Sequence, residues 1–151
     1  MIVVDVNVVA YLLIDGEHTA AAEGVLRVDP EWAAPFLWRS EWRNVLTGYV
    51  RRGSLDSVAA RALLHQAEML LRGREFLPDG ERVLELAGGS ACSAYDCEYV
   101  AVAESLDVPL VTADGRAPWF AGYGEDLWTP PVVEDTTRAE PPMGVAADSA
   151  R

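Results

Sequence analysis

The N-terminal stretch constrains the fold more than any other part of the chain. It contains the run Ile2-Val3-Val4, which is apolar and β-branched and is followed at once by Asp5 and then, two residues on, by Asn7. Such a run predicts a buried β-strand. In open α/β sheets, ligands bind beyond the carboxyl ends of the strands. The predicted strand therefore delivers a carboxylate to the place where such a fold carries out its chemistry.

Strand and helix signals alternate along the rest of the chain. We predict further strands at 32–34, 74–77 and 110–112, and helices at 8–14, 19–27, 36–52, 54–72, 79–87 and 93–106. Thr19 and Ser54 are the expected caps of two helices. The buried face of the last helix is predicted to contain Tyr95, Tyr99, Val102 and Leu106. This alternation is typical of βαβ units, so the predicted fold class is α/β with a mostly parallel sheet.

The length predicts one domain followed by a tail. Half of the 151 residues are apolar, which is enough for a single domain with a core. We place the domain at 1–128 and a disordered or loosely packed tail at 129–151, where prolines stand among small and charged residues. The start of the chain has no basic leader, and no apolar run approaches the length of a membrane span. The sequence thus predicts a cytoplasmic protein.

Composition limits the classes of binding site. The chain has 24 acidic and 12 basic residues, and every basic residue is an arginine. This balance argues against non-specific nucleic-acid binding through a general positive field, although catalytic carboxylates would themselves add to the negative count. Cys92 and Cys97 lack the spacing of a zinc site or a disulfide framework. His18 and His65 have no acid or cysteine at the spacing of metal ligands.

Four acidic residues stand beside apolar elements, and each has an ordinary explanation when taken alone. Asp5 could cap the helix after the first strand, and Asp96 has the capping-box spacing from Ser93. Asp114 precedes a glycine, as in a turn. Glu41 lies at the margin of an apolar helical stripe, where it could pair with a neighbouring arginine.

Together, the four acids predict a metal site. In a parallel sheet these positions lie near one rim, and carboxylates gathered there repel one another, which implies a bound cation. Oxygen ligands select hard ions such as Mg²⁺ or Mn²⁺, and these ions support hydrolysis of a phosphodiester. We therefore predict that Asp5, Glu41, Asp96 and Asp114 converge on one site.

The segments that carry these acids resemble a known family. Asp5 in "VVDVNV", Glu41 in "LWRSEWRNVL", and Asp96 and Asp114 in "CSAYDCEYVAVAESLDVPLVTAD" are similar to the motifs of PIN-domain ribonucleases, specifically VapC-type toxins of type II toxin–antitoxin systems. The resemblance implies a Rossmann-like α/β/α sandwich. It also implies a Mg²⁺- or Mn²⁺-dependent endoribonuclease with a VapB-type antitoxin as partner. One departure is Pro118, which interrupts a segment that is usually basic and helical in the family.

The resemblance also assigns roles to residues. Asp5, Asp96 and Asp114 would bind the metal ion, while Glu41 would bind it or orient the attacking water. The remaining candidates are Asn7 and Thr112 as supporting polar residues and Arg39 and Arg43 as contacts to RNA phosphates. Aromatic residues that we expect to be exposed would suit a homodimer or an antitoxin surface: Trp32, Trp119 and Phe120.

Other functions remain open at this point. The chain could be a non-catalytic PIN-like module that binds a partner through an acidic groove, or a PIN nuclease that processes RNA outside a toxin–antitoxin pair. Phosphotransfer domains also place acids after their first strand. They fit poorly because they require a lysine, and this chain has none.

Overall fold

The structure, a computed structural model, describes residues 1–112. Several predictions therefore lie outside the described residues, namely those for Asp114, Pro118, Trp119, Phe120 and the tail at 129–151. The described part contains four strands and six helices. In chain order they are β1 (Ile2–Val4), α1 (Val6–Leu13), α2 (Thr19–Val28), β2 (Trp32–Pro35), α3 (Trp38–Arg51), α4 (Ser57–Leu70), β3 (Glu75–Phe76), α5 (Gly80–Gly88), α6 (Ala94–Leu106) and β4 (Leu110–Val111).

The four strands form one parallel sheet, as predicted, in the order β3-β2-β1-β4. Val3 pairs with Ala33 on one side and with Leu110 on the other, so β1 is central. The chain moves outward from β1 through β2 to β3 and then crosses back to β4. Right-handed crossovers therefore place α1 to α4 on one face of the sheet and α5 and α6 on the other. The reversal between β1 and β4 is the topological switch point at which such sheets bind ligands.

The core surrounds β1. Ile2, Val3 and Val4 are fully buried, as expected of a strand covered on both faces. Trp38 and Trp42 of α3 are also buried, which confirms the apolar stripe predicted for that helix. Helix α6 is buried almost all round from Cys97 to Ala103, apart from the half-buried Glu98. A helix with this burial pattern belongs to the interior of the domain.

Three predictions about burial and helix starts were wrong. Trp32 is fully buried in β2 and donates its indole N–H to the Asp29 carbonyl, so it is not part of an exposed surface. Tyr95 is 64% exposed because it lies in the first turn of α6, before the part of that helix that the core covers. Thr19 is the first residue of α2 rather than its cap, and its hydroxyl bonds to the preceding loop instead.

The cap predicted at Ser54 also moves. Gly53 has a positive φ of 73°, and the amides of Ser54 and Leu55 bond back to the Tyr49 carbonyl. These residues therefore still belong to the end of α3. Asp56 caps α4 instead, accepting hydrogen bonds from two backbone amides at 2.8 and 2.7 Å. No helix within residues 1–112 is both long enough and apolar enough to cross a membrane.

Candidate functional site

A small cavity opens beyond the carboxyl ends of β1 and β4. Its volume is about 50 Å³, which is room for a small ion or a few water molecules. Three of the four predicted acids line it together with both predicted supporting residues. The lining consists of Asp5, Val6, Asn7, Glu41, Asp96, Tyr99, Leu110 and Thr112. The sheet topology thus brings together side chains that are more than 100 residues apart in the chain, such as Asp5 and Thr112.

Asp5 caps α1, as considered from the sequence, and it also lines the cavity. It is only 8% exposed, and one carboxylate oxygen accepts a hydrogen bond of 3.0 Å from the Val8 amide, which caps α1. The other oxygen accepts a hydrogen bond from the hydroxyl of the buried Thr112. The Asp5 amide donates to the Val111 carbonyl at 3.1 Å, which joins β1 to β4 at this point. The carboxylate is therefore held in one orientation at the cavity wall.

Glu41 is half-buried and is held by Tyr99. The Tyr99 hydroxyl donates a hydrogen bond to Glu41 Oε2, and the tyrosine is only 4% exposed. Burial raises the pKa of Glu41, the Tyr99 hydrogen bond lowers it in part, and the charges of Asp5 and Asp96 raise it further. Burial and the charge of Glu41 also raise the pKa of Tyr99, so the phenol stays protonated and continues to donate. The pairing of Glu41 with an arginine, considered from sequence, is not formed.

Asp96 closes a capping box with Ser93 at the start of α6. Its carboxylate accepts hydrogen bonds from the Ser93 amide at 3.1 Å and from the Ser93 hydroxyl at 2.7 Å. The same hydroxyl accepts a hydrogen bond from the Asp96 amide at 3.2 Å. The capping prediction is confirmed. Because Asp96 also lines the cavity, the cap fixes the direction in which the carboxylate enters it.

The donor chemistry of the cavity fits a hard divalent cation. All of its charged lining side chains are carboxylates, and no arginine or histidine is among the described residues that line it. Beyond the effect of burial, the charges of Asp5 and Asp96 raise the pKa of Glu41, and a cation would relieve this repulsion. Within residues 1–112, however, no three His, Cys, Asp or Glu side chains lie close enough to hold one ion between them. Asp114, the fourth predicted acid, follows Thr112 by two residues and is outside the described part.

The two arginines predicted to contact RNA differ from each other. The Arg39 guanidinium bonds to both oxygens of Glu75, at 2.6 and 2.9 Å, and to Glu68 at 2.9 Å. These bonds argue against the predicted phosphate contact, because the guanidinium is already engaged by two carboxylates. Arg43 is exposed and makes only local bonds, to the Arg39 carbonyl and the Ser40 hydroxyl, so it remains a candidate.

Tyr99 lines the cavity, and the sequence does not predict it as a site residue. It was predicted only as part of a buried helical face. A buried tyrosine needs a hydrogen-bond partner for its hydroxyl, so its predicted burial already indicates a polar contact in the core. The partner is Glu41, which is 58 residues away in the chain and becomes a neighbour only after folding.

Comparisons with known proteins agree with this fold. The family model described as "PIN domain" matches residues 2–133. A structure described as a toxin-antitoxin complex from Klebsiella pneumoniae is 18% identical with a TM-score of 0.59, over 86% of this chain and 98% of that one. FitAcB from Neisseria gonorrhoeae is also 18% identical with a TM-score of 0.59, over 77% and 89% of the two chains.

A third similar structure is Mycobacterium tuberculosis VapC20, described as a sarcin-ricin loop cleaving toxin. It is 20% identical with a TM-score of 0.54, over 76% of this chain and 91% of that one. At these identities the likeness concerns the fold. Among curated proteins, none matches the chain.

Proposed function

This chain belongs to the PIN-domain family, and from that membership we propose that it is a metal-dependent endoribonuclease toxin of the VapC type. The observation that carries the proposal is the convergence of Asp5, Glu41 and Asp96 on one cavity at the switch point of the sheet. All three are positioned by hydrogen bonds that orient their carboxylates toward that cavity. Asp114, two residues after Thr112, is proposed as the fourth acid.

The proposed cofactor is Mg²⁺ or Mn²⁺, held by Asp5, Asp96 and Asp114. When bound, such an ion polarises a phosphoryl oxygen and activates water at neutral pH. The protein contributes the orientation of its ligands, since Thr112 and the Val8 amide fix Asp5 and Ser93 fixes Asp96. We assign to Glu41 the acceptance of a proton from the attacking water. Its raised pKa suits this role, because a general base works best with a pKa nearer to the working pH.

The proposed partners are an RNA substrate and a VapB-type antitoxin that blocks the site. The support for the antitoxin is the fold shared with chains of toxin–antitoxin complexes, and the support for RNA is the likeness to an RNA-cleaving toxin. With RNA as substrate, we place the activity in the cytoplasm. A homodimer is the proposed assembly, and light scattering on the purified chain would test it.

The test is cleavage of a labelled mixture of structured RNA and single-stranded DNA by the purified full chain, with Mg²⁺, with Mn²⁺ or with a chelator. We expect metal-dependent cutting of RNA that falls by about 100-fold or more in Asp96→Asn. Ser93→Ala is the matched control, because it breaks the same capping box but leaves the Asp96 carboxylate in place. It should lower the free energy of unfolding by about 1 kcal/mol. At a temperature where it is folded, it should lose less activity than Asp96→Asn, because the Ser93 amide still donates to the carboxylate at 3.1 Å.

Two outcomes would contradict the proposal. If Ser93→Ala lost as much activity as Asp96→Asn, the aspartate would act through the fold rather than through the reaction. If the folded chain cut no RNA with either metal, a non-catalytic binding module would be the better description.

A further inference from the structure

A second and larger cavity begins where the acidic cavity ends. Its volume is about 410 Å³, within the range of cavities that bind small ligands. We call it the α1 groove; its walls are one face of α1, the loop that follows α1, and the second half of α3. The residues lining it include Asn7, Tyr11, Asp15, Glu17, His18 and Tyr49. Asn7 lines both cavities, so the groove adjoins the acidic cavity at this residue.

Helix geometry sets the distance between the acids and the groove. Glu41, Val45 and Tyr49 follow one another at intervals of four residues, which places them along one face of α3. At about 1.5 Å per residue, Tyr49 lies roughly 12 Å along the helix axis from Glu41. If a phosphate reacts beside Glu41, the group at the level of Tyr49 would therefore be a neighbouring nucleotide and not that phosphate.

The groove offers aromatic surfaces. The rings of Tyr11 and His18 lie 4.6 Å apart between centroids and are tilted by 46°. Tyr49 faces the same groove, and the Arg52 guanidinium stacks on its ring at 4.7 Å. Aromatic side chains of this kind are the usual platforms for unpaired bases, because every base has a face on which it can stack.

The charges of the groove favour a base over a phosphate. Asp15 and Glu17 stand on its exposed side, and none of the described residues that line it is an arginine. These carboxylates repel a phosphate but can accept hydrogen bonds from the amino groups of bases. Burial and the nearby charges of Asp5 and Glu17 raise the pKa of Tyr11, so Tyr11 lies within the field of both the acidic cavity and the groove.

We propose that the α1 groove binds one unpaired base of the RNA strand, next to the phosphate that is cut, by stacking on Tyr11, His18 and Tyr49. The inference rests on the proposed ribonuclease function and extends it to substrate selection. The protein then selects RNA that can present a base unstacked from its neighbours, and it does so with side chains separate from the four acids.

The test is binding of a ten-nucleotide single-stranded oligoadenylate to the full chain carrying Asp96→Asn, which prevents cutting, with Mg²⁺ present. An oligonucleotide of the same length without bases is the second probe. His18→Ala and Tyr49→Leu are made in this background. The His18 side chain is 43% exposed and makes no capping hydrogen bond, so its removal should leave the fold intact. His65→Ala, at a 71% exposed histidine on α4, is the matched control.

We expect His18→Ala and Tyr49→Leu each to weaken binding of oligoadenylate roughly 5- to 100-fold, the range for loss of a stacked base. Binding of the strand without bases should not change, and His65→Ala should change neither. If both groove variants bind oligoadenylate as tightly as the Asp96→Asn parent, the base site is refuted. It is also refuted if their affinity for the strand without bases falls as much as their affinity for oligoadenylate. In both cases the ribonuclease proposal stands. If the parent binds no RNA and the wild-type chain cuts none, both proposals fail together.

Discussion

Arg39→Ala should destabilise the protein without removing a contact to RNA. In the folded chain the Arg39 guanidinium makes two hydrogen bonds to Glu75 and one to Glu68, while the Trp38 indole N–H also donates to Glu75 at 2.7 Å. The Glu75 side chain is only 12% exposed, whereas those of Arg39 and Glu68 are 37% and 34% exposed. The contact to Glu75 therefore carries most of the stabilisation.

The expected loss of stability in Arg39→Ala follows from this difference in exposure. Hydrogen bonds to a charged and largely buried group contribute about 1.5 to 3 kcal/mol, whereas an exposed ion pair contributes under about 1 kcal/mol. Arg39→Ala should therefore lower the free energy of unfolding by about 2 to 3 kcal/mol at pH 7. Arg43→Ala is the matched control on the same helix. It should change the free energy of unfolding by less than about 0.5 kcal/mol, because Arg43 is exposed and makes only local bonds.

The destabilisation caused by Arg39→Ala should become smaller at acidic pH. The hydrogen bond from Arg39 lowers the pKa of Glu75 below its ordinary value of 4.5. A carboxylate with a lowered pKa stabilises the folded state fully above its unfolded pKa, and this stabilisation is lost as the pH falls through the folded pKa. The difference between wild type and Arg39→Ala should thus shrink as the pH is lowered below 4.5.

Urea denaturation of the full chain at several pH values measures these differences, and RNA binding is measured beside it. Arg43→Ala should weaken binding to all sequences alike and reduce the salt dependence by about one phosphate contact, while Arg39→Ala should do neither. Unchanged stability in Arg39→Ala together with weakened RNA binding would refute the reasoning. The original sequence interpretation of Arg39 as a phosphate contact would then be correct.

Two further predictions concern the site and a turn. Tyr99→Phe removes the hydrogen bond that lowers the pKa of Glu41, so the fall of activity on the acid side should move to higher pH. The rate at neutral pH should drop by about 10-fold, because Glu41 also loses the contact that orients it; an unchanged pH–rate profile would contradict this. Gly53→Ala should lower the free energy of unfolding by about 1 kcal/mol, because Gly53 has a φ of 73°. Gly80→Ala is the control, since an added Cβ there meets nothing within 4 Å and φ is not positive. It should not destabilise the protein in the same thermal melt.

The sequence predicted the sheet and three of the acids that line the cavity because those features depend on local pattern. A β-branched run must be buried, and burial in a parallel sheet places the residue that follows it, here Asp5, at the ligand-binding edge. The period of α3 likewise placed Glu41 at the border of an apolar stripe, and the structure confirms this half-buried position. In both cases one segment of the chain contains all the information needed.

The features that were not predicted depend on contacts between distant segments. The pairing of Tyr99 with Glu41 and of Arg39 with Glu75 joins residues 58 and 36 positions apart. The packing of the helices decides which hydrogen-bond partner a polar side chain meets. The spacing of residues in the sequence does not predict that partner. The misplaced cap at Ser54 has a different cause, since the glycine-containing turn that closes α3 includes Ser54 and moves the cap of α4 two residues further, to Asp56.

For two of the acids, a capping role and a place in the cavity occur together. Asp5 caps α1 and lines the cavity, and Asp96 closes a capping box and lines the same cavity. A capping carboxylate is oriented by backbone amides, whose positions are set by the helix. The fold itself therefore resists the mutual repulsion of these acids, and this would keep the carboxylates in place for the proposed cation. The capping patterns of Asp5 and Asp96 are thus compatible with a preorganised site, and they do not argue against one.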